Sequence, residues 1–235
     1  MLSIREENFI KMNFKDCVYK KDDFSMNYKV FYNENNDNLP LIVYLHGAGE
    51  RGENISHLYR HGIPKLINEG REIPAVVLAP QCPALCVWDN IVDRVKALID
   101  TIVKEYNIKN DRICITGSSM GGFGTWMMGL TYPSFFAGIA PVAGGGMSWR
   151  CAKLAKTPVF AVHGGADDVV PFTYSKLMTD AVNANGGNAR LLKLDGLGHN
   201  DGIDFAYRNT EIIDWLLNMR RNNFDYVPEI CEEMF

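Results

Sequence analysis

The sequence lacks the features that place a chain in a membrane or on nucleic acid. No apolar run in its 235 residues approaches the ~18 that a membrane-spanning helix needs. The N-terminal residues, Met-Leu-Ser-Ile-Arg-Glu-Glu-Asn, do not form the basic segment and apolar segment of a secretion signal. The net charge of −4 gives no basic footprint for nucleic acid. We therefore expect a soluble, cytoplasmic protein that binds neither membrane nor nucleic acid.

The cysteines lack the paired spacing of a strong metal site. The six cysteines occupy positions 17, 82, 86, 114, 151 and 231. Cys82 and Cys86 form a single C-x3-C with no second pair and no nearby histidine, which is a weak zinc signal. Free thiols in a reducing compartment are the favoured interpretation, and a disulfide between Cys82 and Cys86 stays open. We expect neither a metal nor an organic cofactor.

Short apolar runs alternate with helical patterns along the chain, without repeats or low-complexity segments. Strands are predicted at residues 17–19, 28–32, 41–45, 75–79, 112–116, 138–143, 158–163 and 189–194. Helices are predicted at residues 63–68, 91–106, 122–130, 172–185 and 210–220. Nearly all-apolar strands between helices indicate a parallel sheet that is covered on both faces. The first two strands are too close for a helical crossover, which favours an antiparallel edge.

These patterns predict one α/β domain over residues 1–235, with an open, mostly parallel, doubly wound sheet of about eight strands. Residues 1–38 would supply the edge strands, residues 39–220 the core and residues 221–235 a C-terminal tail. Residues 33–38, dense in asparagine, are predicted to form a loop.

A Gly-x-Ser-x-Gly motif follows the predicted strand 112–116 directly. A nucleophile on a tight strand-to-helix turn needs small residues two positions to either side, because these approach each other. Ser119 has Gly117 and Gly121 at that spacing, whereas Ser118 would have Thr116 and Met120, which are too bulky. The motif therefore predicts Ser119 as a nucleophile.

A serine nucleophile needs a base and an acid, and in proteins with this strand–turn–helix motif they follow the serine in the order acid, then histidine. Among the five histidines, His199 follows Ser119 and leaves room for an acid; we place it on a flexible loop after strand 189–194. His163 closes an apolar strand and is expected to shape the loop that carries the acid. That loop holds Asp167 and Asp168, which the physical argument alone does not separate.

The loop His-Gly-Ala-Gly-Glu-Arg-Gly at residues 46–52 follows another predicted strand. Acyl transfer needs two N–H donors for the tetrahedral oxyanion. The N–H of Met120, directly after the nucleophile, is one candidate. The N–H of Ala48, in the loop, is placed to be the other. His46 has no evident catalytic partner and is expected to be structural.

Together these features resemble the α/β-hydrolase superfamily over essentially the whole chain. The segments Leu-His-Gly-Ala-Gly-Glu-Arg-Gly (45–52), His-Gly-Ile-Pro (61–64) and Ala-Pro-Gln-Cys-Pro (79–83), with Trp88, resemble its predicted-peptidase branch. That branch is similar to phospholipase/carboxylesterase, feruloyl-esterase and dienelactone-hydrolase-like proteins. The branch pattern H-G-x-x-D-x-x-V-P begins here at His163, which implies Asp167 as the acid and Ala48 as an oxyanion donor. Ser119 departs from the cysteine of dienelactone hydrolases proper.

The spacing of the motifs also bears on the substrate. One helix, one strand and a short connection at 144–157 fill the stretch between Ser119 and Asp167, which leaves no room for a large cap domain. We expect Trp88 and Trp149, both on loops after strands, to bind an aromatic or apolar acyl group; the alternative is that each fills the core.

The sequence thus predicts a serine carboxylesterase that cleaves small or aromatic esters through an acyl-serine intermediate. The rivals are a peptidase of the prolyl-oligopeptidase-like type and a catalytically silent binding protein. The sequence names neither the acyl nor the alcohol group, and the oligomeric state is not readable from it.

Overall fold

One eight-stranded sheet organises the protein. The computed structural model describes residues 12–33 and 38–222. The strands are β1 (Asn13–Lys21), β2 (Phe24–Tyr32), β3 (Leu41–Leu45), β4 (Val76–Pro80), β5 (Ile113–Ser118), β6 (Gly138–Val142), β7 (Val159–Gly164) and β8 (Ala189–Leu194). Most of the predicted 33–38 loop and all but two residues of the predicted 221–235 tail lie outside the described residues.

The strand order is β1-β2-β4-β3-β5-β6-β7-β8. Strands β3 to β8 are parallel, and β2 pairs antiparallel with both β1 and β4. Every residue of β3 to β7 is buried, because helices cover both faces of the parallel part. The predicted mostly parallel sheet of about eight strands with an antiparallel edge is confirmed.

The helices form one layer on each face of the sheet. They are α1 (Gly62–Asn68), α2 (Val92–Glu105), α3 (Met120–Thr131), α4 (Thr173–Ala184), α5 (His199–Asn209) and α6 (Ile212–Asn218). Helices α2, α3 and α4 pack with strand residues such as Val43 into one core. Helices α1, α5 and α6 pack with residues such as Ile42 into the other. Neighbouring residues of one strand enter different cores because successive side chains point to opposite faces.

The C-terminal helical region differs from the sequence prediction. Helix α6 lies within the predicted helix at residues 210–220, whereas α5 occupies residues for which the sequence predicts no helix. The expectation that His199 lies on a flexible loop is therefore wrong, since His199 is the first residue of α5. Helix α5 opens with polar residues and contains Gly202, which lowers intrinsic helix propensity. A Cβ on Gly202 would lie 3.2 Å from Gly164 Cα, so the glycine serves close helix–strand packing.

The connection between β6 and β7 is short. Residues 143–158 contain one 3-10 helix, Ser148–Leu154, and no inserted cap domain. None of the helices in the described part of the chain combines enough length with enough apolar residues to cross a bilayer.

The junction of β5 and α3 lies against the end of β3. A Cβ on Gly117 would lie 2.4 Å from the Gly121 carbonyl oxygen. A Cβ on Gly121 would lie 1.9 Å from the Leu45 carbonyl oxygen. Backbone atoms of two strands and a helix therefore meet at distances that only glycine permits.

We expect Gly121→Ala to lower the free energy of unfolding by about 3 kcal/mol, because the clash outweighs the ~1 kcal/mol gain in helix propensity. Urea denaturation followed by circular dichroism measures the difference. Gly49→Ala is the control, since a Cβ there has Arg60 Nη1 as its nearest neighbour at 4.0 Å. Equal stability of the two variants would contradict the packing described.

Candidate active site

Ser119 occupies the turn between β5 and α3. Its backbone angles are φ 56° and ψ −121°, in a region that residues with side chains rarely adopt. Its N–H donates to the Val142 carbonyl oxygen at 3.0 Å, which ties the turn to the end of β6. The turn places the Ser119 side chain beyond the carboxyl edge of the sheet, at the N-terminus of α3.

Three of the predicted site residues form a continuous hydrogen-bonded row. Ser119 Oγ lies 2.9 Å from His199 Nε2, and His199 Nδ1 lies 2.7 Å from Asp167 Oδ2. The carboxylate accepts, so Nδ1–H is the donor to Asp167, and Nε2 is left to accept the Ser119 proton. The row spans the ends of β5, β7 and β8, because the carboxyl ends of parallel strands meet at one edge of a sheet.

Asp167 is held by its own loop as well as by the imidazole. Its Oδ1 accepts from the N–H of Val169 at 3.0 Å and of Val170 at 2.8 Å. Burial alone would raise the pKa of Asp167, but the hydrogen bonds from His199, Val170 and Val169 hold the pKa below its usual range. The carboxylate therefore stays ionised beside the imidazole.

The two aspartates that the physical argument left unresolved occupy different environments. The Asp167 side chain is fully buried, whereas Asp168 is exposed to solvent. Two other aspartates that follow Ser119 in the sequence pair with lysines: Asp195 with Lys193 at 2.7 Å, and Asp180 with Lys176 at 2.6 Å. Among these four residues, the hydrogen bond to His199 belongs to Asp167.

His163 fixes the loop that carries Asp167, the structural role expected of it. The ring is buried, and burial lowers its pKa against the opposing effects of the Val170 carbonyl and Asp167. In the neutral ring Nε2–H donates to the Val170 carbonyl oxygen at 2.8 Å, and Nδ1 lies 2.7 Å from Ser175 Oγ, which also lies 2.9 Å from the Gly144 carbonyl oxygen. Nε2 also lies 3.4 Å from Asp167 Oδ2. Both ends of the loop are thereby anchored to β7.

The two predicted oxyanion donors begin helical segments next to Ser119. Met120 is the first residue of α3, and Ala48 is the first residue of a 3-10 helix, Ala48–Glu50. The first N–H groups of a helix have no acceptor within it. A Cβ on Gly47 would lie 3.6 Å from Ser119 Cβ, so the loop after β3 borders Ser119.

His46 fixes the peptide group that carries the Ala48 N–H. Its Nε2 accepts from the Cys82 N–H at 2.9 Å, so Nδ1–H donates to the Gly47 carbonyl oxygen at 2.6 Å. Burial lowers the pKa of His46 to about 4, so the ring is neutral. Because a peptide group is planar and trans, holding the Gly47 carbonyl also fixes the direction of the Ala48 N–H.

The expectation that Trp88 lines a substrate pocket is wrong. Trp88 is 1% exposed, and its Nε1–H donates to the His46 carbonyl oxygen at 2.9 Å. It packs on α3, where a Cβ on Gly124 would lie 2.5 Å from Trp88 Cβ. Trp149 is 54% exposed on the 3-10 helix after β6 and is not among the residues that line the cavity at Ser119. Its contact with substrate stays a prediction.

A cavity of about 340 Å³ opens at Ser119 and His199. Sequence reasoning missed four polar residues of its wall, Glu50, Arg60, His61 and Asn200. Glu50 and His61 stand in the quoted motifs, and Asn200 follows His199, but nothing local indicates which of them turn inward. Cys82 and Cys86 are unpaired thiols. Within residues 12–33 and 38–222, no three His, Cys, Asp or Glu side chains gather as a metal site.

We expect Asp167→Asn to lower kcat about 10⁴-fold, because the amide favours the wrong imidazole tautomer. Asp168→Asn, the matched control on an exposed neighbour, should change kcat by less than about threefold. Ester hydrolysis measured in both purified variants decides between the two acids. A loss at Asp168 equal to or larger than that at Asp167 would overturn the assignment.

Comparison with known proteins places this site in context. The chain is 35% identical over 83 residues to poly(3-hydroxyalkanoate) depolymerase C of Paucimonas lemoignei, which covers 35% of this chain and 19% of that protein. It is 30% identical over 140 residues to a bifunctional acetylxylan esterase/xylanase of Neocallimastix patriciarum, covering 57% of this chain and 20% of the relative. The chain thus spans about a fifth of the length of these relatives.

Among solved structures, a thermostable esterase superposes with a TM-score of 0.77 at 29% identity, covering 88% of this chain and 63% of that one. A family model described as phospholipase/carboxylesterase matches residues 87–206, just over half of the chain and the part that holds Ser119, Asp167 and His199. The chain therefore belongs to the phospholipase/carboxylesterase family and has the α/β-hydrolase fold.

Proposed function

We propose that the protein is a serine hydrolase of small carboxylic esters, with Ser119 as nucleophile, His199 as base and acid, and Asp167 as the residue that orients His199. The observation that carries the proposal is the hydrogen-bonded row from Ser119 Oγ through the imidazole to the Asp167 carboxylate. A serine hydroxyl is a weak nucleophile until a base accepts its proton, and this arrangement supplies the base.

In the proposed reaction, Ser119 Oγ attacks the ester carbonyl carbon while His199 Nε2 takes the hydroxyl proton. The N–H groups of Ala48 and Met120 donate to the oxyanion of the tetrahedral intermediate. The carbon–oxygen bond to the alcohol breaks, and His199 returns the proton to the leaving oxygen. Water then attacks the acyl-serine, again giving its proton to His199, and the acid leaves with Ser119 restored. The residues of this chain supply every proton transfer.

Two further observations favour an ester over a peptide substrate. The three relatives described above are named as a depolymerase, an acetylxylan esterase/xylanase and an esterase. The described residues also form one sheet with its helices and hold no separate domain over the cavity to select peptides.

We also propose that the protein works in the cytoplasm, since unpaired thiols such as Cys82 and Cys86 are usual in a reducing compartment.

Replacing the nucleophile should abolish turnover. We expect Ser119→Ala to reduce kcat on p-nitrophenyl acetate by about 10⁴- to 10⁶-fold, with circular dichroism unchanged. Ser118→Ala is the matched control: Ser118 also borders the cavity, but its hydroxyl lies 3.0 Å from the buried Tyr44 hydroxyl, whereas the hydrogen bond to His199 belongs to Ser119. A loss of activity at Ser118 but not at Ser119 would show that the register is wrong. A wild-type protein that hydrolyses no ester would favour a binding role, and one that cleaves peptide amides faster would favour a peptidase.

The preferred size of the substrate follows from the short connection at residues 143–158, which contains no cap domain to cover the site. A methylene group contributes about 0.8 kcal/mol only when it is buried, and distal methylenes of a long acyl chain stay in water at an open site. We therefore expect kcat/KM to reach a plateau or fall from C2 to C16 p-nitrophenyl esters. A steady rise toward C12–C16, or activation on emulsions, would mean that the site binds long chains.

A further inference from the structure

Glu50 is a buried carboxylic acid on the wall of the cavity at Ser119 that the proposed mechanism does not use. Its side chain is 5% exposed, yet the residue lines the cavity. The position of a Cβ on Gly47 is 3.2 Å from Glu50 Oε2 and 3.6 Å from Ser119 Cβ. The carboxyl group and the nucleophile therefore flank the same side-chain-free glycine, and that space is open to substrate.

The Glu50 carboxyl group accepts hydrogen bonds from the backbone N–H groups of Gly47 and of Glu50 itself, but it makes no direct hydrogen bond to either neighbouring imidazole. His46 Nδ1 is 3.7 Å from Glu50 Oε2, but both nitrogens of His46 are committed, to Gly47 and to Cys82. His61 Nε2 is 4.0 Å from Glu50 Oε1, which is too far for a direct hydrogen bond. Across this 4.0 Å gap, a single bridging oxygen atom can lie about 2.8 Å from both Glu50 Oε1 and His61 Nε2.

The second imidazole is held in place from its other side. His61 Nδ1–H donates to Asp204 Oδ1 at 3.0 Å, and Lys65 Nζ donates to Asp204 Oδ2 at 2.6 Å. Burial would raise the pKa of Asp204, but the hydrogen bonds from Lys65 and His61 hold it below its usual range. Asp204 therefore stays ionised and keeps His61 Nε2 facing Glu50.

The chemistry of the pair favours a neutral hydroxyl over a cation. Burial raises the pKa of Glu50, against the opposing effects of His61, of Arg60 and of the backbone hydrogen bonds from Glu50 and Gly47. When Glu50 and His61 hold one proton between them, the protonated group donates a hydrogen bond to the substrate oxygen, and the other group accepts a hydrogen bond from the substrate. A hydroxyl group can accept the first hydrogen bond and donate the second. An ammonium group can only donate, and the Arg60 guanidinium on the same cavity wall would repel it.

The cavity also contains the residue that would protonate the departing alcohol of an ester. His199 lines it, together with Asn200, and His199 returns the proton to the leaving oxygen in the proposed reaction. We propose that Glu50 and His61 form a subsite for a hydroxyl group on the alcohol portion, so that the enzyme prefers esters of polyols over esters of simple alkanols. This inference rests on the proposed function.

Acyl transfer tests the subsite separately from hydrolysis. The acetyl-enzyme formed from p-nitrophenyl acetate reacts with glycerol or 1-propanol at equal concentrations. Both alcohols have three carbons, but glycerol has two more hydroxyl groups. Gas chromatography measures the acetate esters formed. For the wild type we expect transfer to glycerol to exceed transfer to 1-propanol about tenfold, the size expected of a hydrogen bond to a charged or proton-sharing group.

The Glu50→Gln variant should lose most of that preference, so that the glycerol-to-propanol ratio falls about tenfold. The ratio cancels any general change in the reactivity of Ser119. Glu53→Gln is the matched control, because Glu53 is an exposed glutamate on the same loop that does not line this cavity; its ratio should equal that of the wild type.

Each outcome of this experiment is decisive. Release of p-nitrophenol with equal transfer to both alcohols overturns the subsite and leaves the proposed function intact. An unchanged ratio in Glu50→Gln, or an equal fall in Glu53→Gln, also overturns it. If Glu50→Gln does not fold, the wild-type ratio alone decides. Failure of the wild type to release p-nitrophenol overturns the proposed function itself.

Discussion

Between β5 and α3 the backbone passes through φ 56° and ψ −121° at Ser119, a conformation that costs on the order of 1–3 kcal/mol. The turn persists because both of its sides are fixed: β5 is paired with β3 and β6, and the Ser119 N–H is bonded to Val142. It exists only where Gly117 and Gly121 let backbone approach backbone. The direction of the Ser119 hydroxyl toward His199 and the position of the Met120 N–H both depend on this constraint.

The two loops next to the turn are held in the same way: in each, a buried neutral imidazole donates a hydrogen bond to a backbone carbonyl oxygen of the loop. His46 holds the Gly47 carbonyl and so orients the Ala48 N–H, and His163 holds the Val170 carbonyl next to Asp167. Burial lowers the pKa of both rings and so keeps them neutral, and the hydrogen bonds of each ring then select one tautomer. Both loops are therefore positioned before any substrate arrives, which limits the reorganisation that the reaction needs.

The fold was largely predictable because β3 to β7 are buried on both faces and so consist of short apolar runs. The sequence also indicated Ser119, since the glycine spacing reports a steric requirement of the turn itself. Only the family resemblance favoured Asp167 over Asp168; the physical argument did not separate them, because the difference lies in backbone N–H groups and in an imidazole 32 positions away. Sequence reasoning placed Trp88 in the pocket, because periodicity does not report where a ring on a strand-end loop points.

Helix α5 and the burial of Glu50 escaped prediction for related reasons. Gly202 weakens the local helical signal but is required by Gly164 on β7, a contact that only the tertiary structure creates. A glutamate in a glycine-rich segment such as residues 47–52 normally indicates a solvent-exposed loop, whereas Glu50 is enclosed by His46 and His61. Whether Ser119 forms a covalent acyl-enzyme is measured by quenching the pre-steady-state reaction with p-nitrophenyl acetate in acid and mapping the adduct by peptide mass spectrometry. We expect a burst of about one equivalent of p-nitrophenol and a single acetyl group on Ser119; turnover without an adduct, or an acetyl group on another residue, would show that Ser119 is not the nucleophile.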